Sequence, residues 1–267
     1  MIDMDAVTGI LRDAAREVIL PRARSLSEGE VMEKGPGELV TVVDQEAERV
    51  ITARLRGLVD APVVGEEAVA ADPSLVEALR TEPVVWLVDP LDGTRNFVEG
   101  RREYGVMAAL VHGGETVAAW IVQPEWDRAY AAERGAGAWR DGTRLRRDPA
   151  PTDPGRLRGS VLTRFLAPEA RRHVEASVPR FAGVDGGAHC SAVDYPLLCE
   201  GSRDFLLFHR TLPWDHAPGA LLLAEAGGVS RRPDGTPYRP DQGPDVLGLL
   251  NAADETCWKT VRELLLP

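Results

Sequence analysis

Cysteine is scarce in this 267-residue chain. The three, Cys190, Cys199 and Cys257, are odd in number, and no two have C-x-x-C spacing. A disulfide framework or a zinc site is disfavoured, and a reducing cytoplasm is the expected setting. Histidine is also sparse, and His189, His209 and His216 have no spaced partner set. Positive charge is short: 31 Lys and Arg against 42 Asp and Glu give a formal net charge of -11. That excludes non-specific binding to nucleic acid or to an anionic membrane surface. It leaves anionic substrates open, because a bound divalent cation reverses the local sign. No apolar run reaches membrane-spanning length. The opening MIDMDAVTGILRDAAREVIL has neither a basic leader nor a continuous apolar core, so it reads as a helix and not as a signal peptide. No repeat of solenoid period is present.

What is there is a globular composition, 44% hydrophobic and 27% charged, long enough for one large domain or two half-domains. The most informative stretch is VVWLVDPLDGTRNF, residues 84–97. Val84 to Val88 have the length and apolarity of a buried strand, which Asp89-Pro90 is expected to end. Asp89 and Asp92 follow in a turn, where Gly93 permits an unusual backbone angle and Thr94 suits the first turn of a helix. Two carboxylates and free backbone N–H groups thus share a strand end. Carboxylates call for a hard cation such as Mg²⁺, and the N–H groups suit a phosphate oxyanion.

Taken in order, residues 5–26 predict an amphipathic helix, with Val7, Ile10, Leu11, Ala14, Val18 and Ile19 on one face and Pro21 to kink or end it. Lys34 stands at the entrance of a Gly35-Pro36-Gly37 loop. Leu39 to Val43 lead into a second helix in which Val43, Ala47, Val50, Ile51, Leu55 and Leu58 keep helical spacing. On its own, Asp44 at that helix start reads as a cap. PVVGEE (62–67) is a short strand ending in Glu66 and Glu67, which alone read as a solvated loop end. Pro73 to Arg80 is a short helix. Residues 104–111 and 116–123 predict a hairpin across Gly113-Gly114, and 128–132 with 138–145 continue an antiparallel sheet through a second turn at Asp141-Gly142.

Residues 148–156, DPAPTDPGR, read as a joint, giving an N-terminal half 1–147 and a C-terminal half 148–267. The second half alternates. Strands are expected at 159–163, 181–184, 204–209 and 246–250, and helices at 168–177, 191–200, 217–226 and 254–266, an α/β pattern. In TLPWDHAPGALLLAEAGG (211–228), Asp215 lies at the mouth of the helix, where it too could be only a cap. Pro218 suits the first turn, and Gly227-Gly228 close it. His216 reads as a capping or surface residue.

VGEE, VDPLDGTRNF and PWDHAPGALLLAEAGG, in this order and at these distances, resemble the inositol monophosphatase family, part of the Mg²⁺-dependent, lithium-sensitive sugar phosphatases. LVTVVDQEAE and the EKGPG loop match its N-terminal pattern, so the resemblance spans nearly the whole chain. It implies a layered αβαβα fold, α+β in its first half and α/β in its second, with metals at the junction. It implies that Glu66, Asp89 and the Leu91 carbonyl hold one metal, and that Asp89, Asp92 and Asp215 hold a second, with Glu66 reaching a third. Asp92, Gly93 and Thr94 would bind phosphate. Asp44, Glu66 and Thr94 would be catalytic, Asp44 and Thr94 activating the attacking water. Glu67 would support the site and Lys34 would sit on a closing loop. Two or three Mg²⁺ ions, with Mn²⁺ as a substitute, a homodimer and a small phosphorylated metabolite as substrate are also implied.

The chain departs from the family where the alcohol is read. The family's inositol-contacting glutamate, seven residues before the W-D aspartate, is replaced by Phe208, which cannot accept hydrogen bonds from hydroxyls. His189-Cys190-Ser191 stands where Gly-Thr-Ala is common. His189, Ser191 and Phe208 are therefore the substrate-reading candidates, with Phe208 equally readable as a core residue. A cyclitol or sugar phosphate is the first expectation, and histidinol phosphate or a 3′-phosphonucleotide the alternative. A catalytically silent phosphate binder is a further alternative, opposed by the full set of acids and Thr94.

Overall fold

Alternation of side chains along one strand fixes the architecture. In Glu115–Gln123, Ala118, Trp120 and Val122 enter one apolar cluster, while Ala119 and Ile121 enter another on the opposite face. The sheet is therefore covered on both sides.

The computed structural model describes residues 2–35, 38–164, 166–242 and 247–266. The first half contains helices α1 (Met4–Ala14), α2 (Val42–Leu58), α3 (Glu66–Ala71), α4 (Ala78–Thr81) and α5 (Thr94–Val98). Its strands are β1 (Val31–Gly35), β2 (Glu38–Thr41), β3 (Val63–Gly65), β4 (Val84–Asp92), β5 (Gly105–His112), β6 (Glu115–Gln123), β7 (Arg128–Glu133), β8 (Gly137–Arg140) and β9 (Thr143–Leu145). Strands β3 to β9 form one sheet in sequence order, antiparallel except for the β3–β4 pair. Strands β1 and β2 form a separate hairpin.

The second half contains β10 (Arg158–Val161), α6 (Pro168–Ser177), β11 (Gly183–Asp185), α7 (Ser191–Cys199), β12 (Phe205–Phe208), α8 (Pro213–Ala226), β13 (Val229–Arg231), β14 (Leu249–Ala252) and α9 (Glu255–Leu265). Its sheet has the order β11-β10-β12-β14-β13. The first three strands run parallel and β14 is antiparallel to both neighbours.

Packing stacks these parts in five layers. Helices α1 and α2 bury Val7, Leu11, Ala47 and Ile51 against Trp86 and Trp120 on the outer face of the larger sheet. Helices α7 and α8 lie between the sheets, joining Met107 and Ile121 to Leu206 and Phe208. Helices α6 and α9 cover the far face of the smaller sheet with Val174, Trp258 and Val261. The expected αβαβα order is present.

Several expected boundaries move. The first helix is α only to Ala14, continues as a π-turn over Ala15–Ile19 and a 3-10 turn over Leu20–Arg22, and ends short of residue 26. Val50 is only half-buried and Leu58 is exposed, the latter because it closes the last turn of α2. Asp89-Pro90 does not end β4. The strand bulges between Asp89, opposite Met107, and Asp92, opposite Gly105, so Pro90 sits where no ladder N–H is required. Helix α8 starts at Pro213, not Ala217, so Pro213 takes the first-turn position and Pro218 lies inside the helix. The last expected strand is displaced to Leu249–Ala252, and Val246 lies outside the described residues, as do Pro36 and Gly37 of the expected loop.

Candidate metal and phosphate site

Helix α2 supplies the first member of the site. Thr41 is its N-cap, and Asp44 closes the capping box, accepting from Thr41 N at 2.8 Å and Thr41 Oγ1 at 2.6 Å through Oδ2. Its other oxygen, Oδ1, accepts from Thr94 Oγ1 at 2.9 Å. Asp44 is therefore a cap that also reaches Thr94, which lines the cavity, while Asp44 itself does not. Burial pushes its carboxyl up to about 6, against the opposing hydrogen bonds from Thr41 and Thr94. Thr94 Oγ1 also lies 3.0 Å from the Leu91 carbonyl. One hydroxyl proton cannot serve both acceptors.

At the β4 bulge Asp89 meets Glu66 from the start of α3 and Asp215 from α8. One oxygen each from Glu66, Asp89 and Asp215 lies within 4.8 Å of the others. The Leu91 side chain is buried in the core, and its N–H donates to Asp89 Oδ1 at 3.1 Å. Burial, and then Glu66 with neighbouring aspartates, hold the Asp89 and Asp215 carboxyls well above their usual range. Asp92 lines the same cavity, but its Oδ2 accepts from Ala192 N at 2.6 Å and from Cys190 Sγ at 3.1 Å. It thus caps α7, and burial raises it to about 6 against those bonds. Asp215 makes no N-terminal cap for α8, whose N-cap Leu212 has no side-chain bond.

Glu66 and Glu67 open α3 and do not dangle in solvent. Lys34, on β1, bridges them, with Nζ 2.6 Å from Glu66 Oε1 and 2.7 Å from Glu67 Oε1. Burial alone would lower the Lys34 ammonium, but the two carboxylates outweigh it and raise it. Burial and Glu66 push Glu67 up to about 7 despite Lys34.

Gly93 takes a left-handed conformation (φ 84°) as the N-cap of α5. A Cβ there would stand 2.7 Å from the Glu103 carbonyl, so only glycine fits. The turn brings the N-terminus of α5 to the cavity that holds Glu66, Asp89, Asp92 and Asp215.

His189, Ser191 and Phe208 line that cavity too. His189 is exposed with φ 54°, and Ser191 is the buried first residue of α7. Phe208 is 3% exposed, stacked on Tyr195 at 5.5 Å and tilted against His216 at 4.6 Å between ring centroids. It is a core residue with one edge at the cavity. His216 is neither a cap nor on the surface. It is buried, with Nε2 near the Arg210 carbonyl and Nδ1 near Tyr195 Oη, both at 3.1 Å. A carbonyl only accepts, so Nε2 carries the proton, and burial holds the imidazole down to about 3.

Glu48 escaped the sequence reading. It lies one turn after Asp44 and accepts from Glu67 N at 2.8 Å and Ala68 N at 2.9 Å, fixing the start of α3. Gly65 leaves it room, since a Cβ there would stand 2.4 Å from its carboxylate. Asn96 was missed as well. Its Nδ2 donates to the carbonyls of Glu103 and Ala188 at 2.7 and 2.9 Å, tying the α5 segment to the 186–190 loop. The i to i+4 spacing of Asp44 and Glu48, with glycine just before Glu66-Glu67, was the available signal.

An all-oxygen set of mutually repelling, buried carboxylates fits a hard divalent cation. The fold and site together define a metal-assisted enzyme acting on phosphate. A sequence model of the inositol monophosphatase family matches residues 3–265. The inositol-1-monophosphatase of Rhizobium meliloti is 31% identical, over 87% of this chain and 84% of its own length. The Nus factor SuhB of Vibrio cholerae is 29% identical, over 85% of both chains. The solved structure of a Thermotoga maritima IMPase superposes with a TM-score of 0.79 at 24% identity, over 98% of this chain and 95% of that one. The chain belongs to the inositol monophosphatase family, a family of metal-dependent phosphatases. Among the described residues, no helix is long and apolar enough to cross a membrane.

Proposed function

We propose that this chain hydrolyses a small phosphomonoester, a cyclitol or sugar phosphate, with Mg²⁺ as its resident cation and Mn²⁺ as a substitute. The observation that carries the reading is the convergence of Glu66, Asp89 and Asp215 in one cavity with the Gly93–Thr94 helix start. Glu66, Asp89 and the Leu91 carbonyl would hold one ion, Asp89, Asp92 and Asp215 would hold a second, and Glu66 would serve a third. Bound cation acidifies water and neutralises the phosphoryl oxygens.

The chain's own groups do the rest. The N–H groups of Gly93 and Thr94 would bind the phosphate, and Asp92, an acceptor itself, would reach it only through the cation. Thr94 orients the attacking water through its hydroxyl, and Asp44, one hydrogen bond behind it, receives the proton. Glu66 is catalytic by placing that water as well as by ligation. Glu48 and Glu67 fix the α3 end of the site, and Lys34 holds Glu66 and Glu67 together from the β1–β2 hairpin. The halves 1–147 and 148–267 meet at this centre, the first handling phosphate and the second supplying Asp215 and the alcohol-facing wall. Its three free cysteines suit a reducing cytoplasm, and family likeness suggests a homodimer, which light scattering checks by mass.

The test is inorganic phosphate release from inositol 1-phosphate, sugar phosphates, histidinol phosphate and a 3′-phosphonucleotide. Release that requires Mg²⁺ or Mn²⁺ and is inhibited by millimolar Li⁺ is expected. Activity undiminished in excess EDTA overturns the reading.

A further inference from the structure

The catalytic cavity has two walls of opposite charge. Its volume is about 490 Å³, ample for a small phosphorylated metabolite. All four of its carboxylates, Glu66, Asp89, Asp92 and Asp215, belong to the centre described above. The opposite wall is built by the segments that follow β10, β11 and β12, together with the first turns of α6. These three strands are parallel and adjacent, so their C-terminal ends form one crevice, the usual place for a ligand in such a sheet. Among the described residues that wall carries Arg164, Arg171, Arg210, His189 and His209 and no carboxylate, in a protein of net charge -11.

Arg171 is the central member. Its Nη2 donates to the carbonyls of Thr163 and Arg164 at 2.9 and 3.2 Å, so the side chain is held in place. Its Nε is buried away from the cavity, and among the described residues its Nη1 makes no hydrogen bond and keeps accessible surface. Among the described residues it has no carboxylate partner, whereas Arg210 pairs with Glu38. A guanidinium fixed against a cavity with an unused donor is built to receive an anion. A neutral polyol would need acceptors as well as donors, and arginine offers none. A cationic leaving group would be repelled.

We propose that Arg171, supported by Arg164, is a specificity-determining residue that binds a second anionic group, phosphate or carboxylate, on the alcohol portion of the substrate. This rests on the reading of the acidic centre as a phosphomonoester hydrolase. Phe208 then serves as apolar floor beneath the alcohol, and the arginines take the place of a hydroxyl-reading acid.

The test compares matched pairs that differ by one anion: fructose 1-phosphate with fructose 1,6-bisphosphate, and glycerol 3-phosphate with 3-phosphoglycerate. The first pair probes a phosphate and the second a carboxylate. In at least one pair, kcat/KM for the doubly anionic member is expected to be roughly 10- to 100-fold higher, the size of a charge-assisted hydrogen bond. Arg171→Gln should remove that preference by raising KM with kcat unchanged, and leave the other member within about threefold. Arg171→Lys should restore part of it. Arg164 is exposed, so Arg164→Gln tests the same wall should Arg171→Gln fail to fold, and it should weaken only the doubly anionic substrate. Equal kcat/KM in both pairs overturns the inference while leaving phosphatase activity standing. A preference that survives both substitutions overturns the assignment to these arginines. If no compound is hydrolysed, the phosphatase reading fails. Calorimetric binding of the same pairs with Mg²⁺ present then decides, tighter binding of the dianion lost in Arg171→Gln supporting the site and equal binding overturning it.

Discussion

Asp44 and Thr94 lie 50 residues apart and meet through a 2.9 Å hydrogen bond between Oδ1 and Oγ1. The remaining oxygen of Asp44 is committed to the Thr41 cap, so the carboxylate cannot turn away from Thr94 without opening the first turn of α2. Asp44→Asn keeps the shape and removes the proton acceptor. The expected result is a fall in kcat of roughly 10²- to 10⁴-fold. The weakened cap should cost on the order of 1 kcal/mol of stability. Steady-state kinetics with a melt of the same preparation check both, and wild-type kcat in a folded variant contradicts the role.

Glu48 and Gly65 form a second such dependency. Gly65→Ala forces a Cβ into the Glu48 carboxylate, 2.4 Å away, and the cap on α3 must shift. A loss of about 2 kcal/mol or more is expected. Glu48→Gln spares the volume but exchanges one acceptor oxygen for a donor, so activity should fall more than stability does. Equal melting temperatures for Gly65→Ala and wild type would rule out the crowding argument.

The site legible in the sequence was the local part. Asp89, Asp92 and Gly93 lie in five consecutive residues because bulge, acids and turn are one piece of backbone, so spacing marked them as candidates that the rest of the chain then supported. Asp44 and Asp215 needed the family pattern, since each also reads as a cap. Glu48 and Asn96 act by contacts to segments 19 and 92 residues away, which periodicity cannot register. The elements were legible from hydrophobic spacing, as in α2 and the β5–β6 hairpin, but their layered order was legible only through the family pattern. The π-turn after Ala14, the passage of β4 through Pro90 and the early start of α8 were not, because each depends on tertiary packing that overrides a local stop signal.

Asp194 gives a pH-dependent test of burial on α7. It is buried on α7, Oδ1 accepts from Ala188 N at 2.8 Å, and Oδ2 has no partner. Burial, with Asp92 and Asp185 beside it, pushes the carboxyl up to about 7, against the Ala188 bond and Arg203. A raised folded-state value means that the stability held with the proton is full below about pH 4 and is lost as pH rises through about 7. Asp194→Asn, which stays neutral, should match wild type near pH 4 and exceed it by on the order of 2 kcal/mol at pH 8. Denaturant unfolding at the two values checks this, and a variant less stable than wild type at pH 8 refutes it.

Asp89 stands at the centre of the repulsion, fully buried beside Glu66, Asp92 and Asp215. Asp89→Asn preserves the acceptor for Leu91 N–H and removes one charge. In EDTA the variant should therefore melt higher than wild type, and the rise in melting temperature that Mg²⁺ gives wild type should shrink. A lower melting temperature in EDTA would show that the acids do not repel as described.

The most direct measurement is phosphate release from the best substrate of the phosphomonoester panel by wild type and Asp89→Asn at saturating Mg²⁺, each repeated in excess EDTA. The account predicts turnover by wild type alone, abolished by EDTA and restored by added Mg²⁺. Turnover that persists in EDTA, or that Asp89→Asn retains at the wild-type rate, contradicts it.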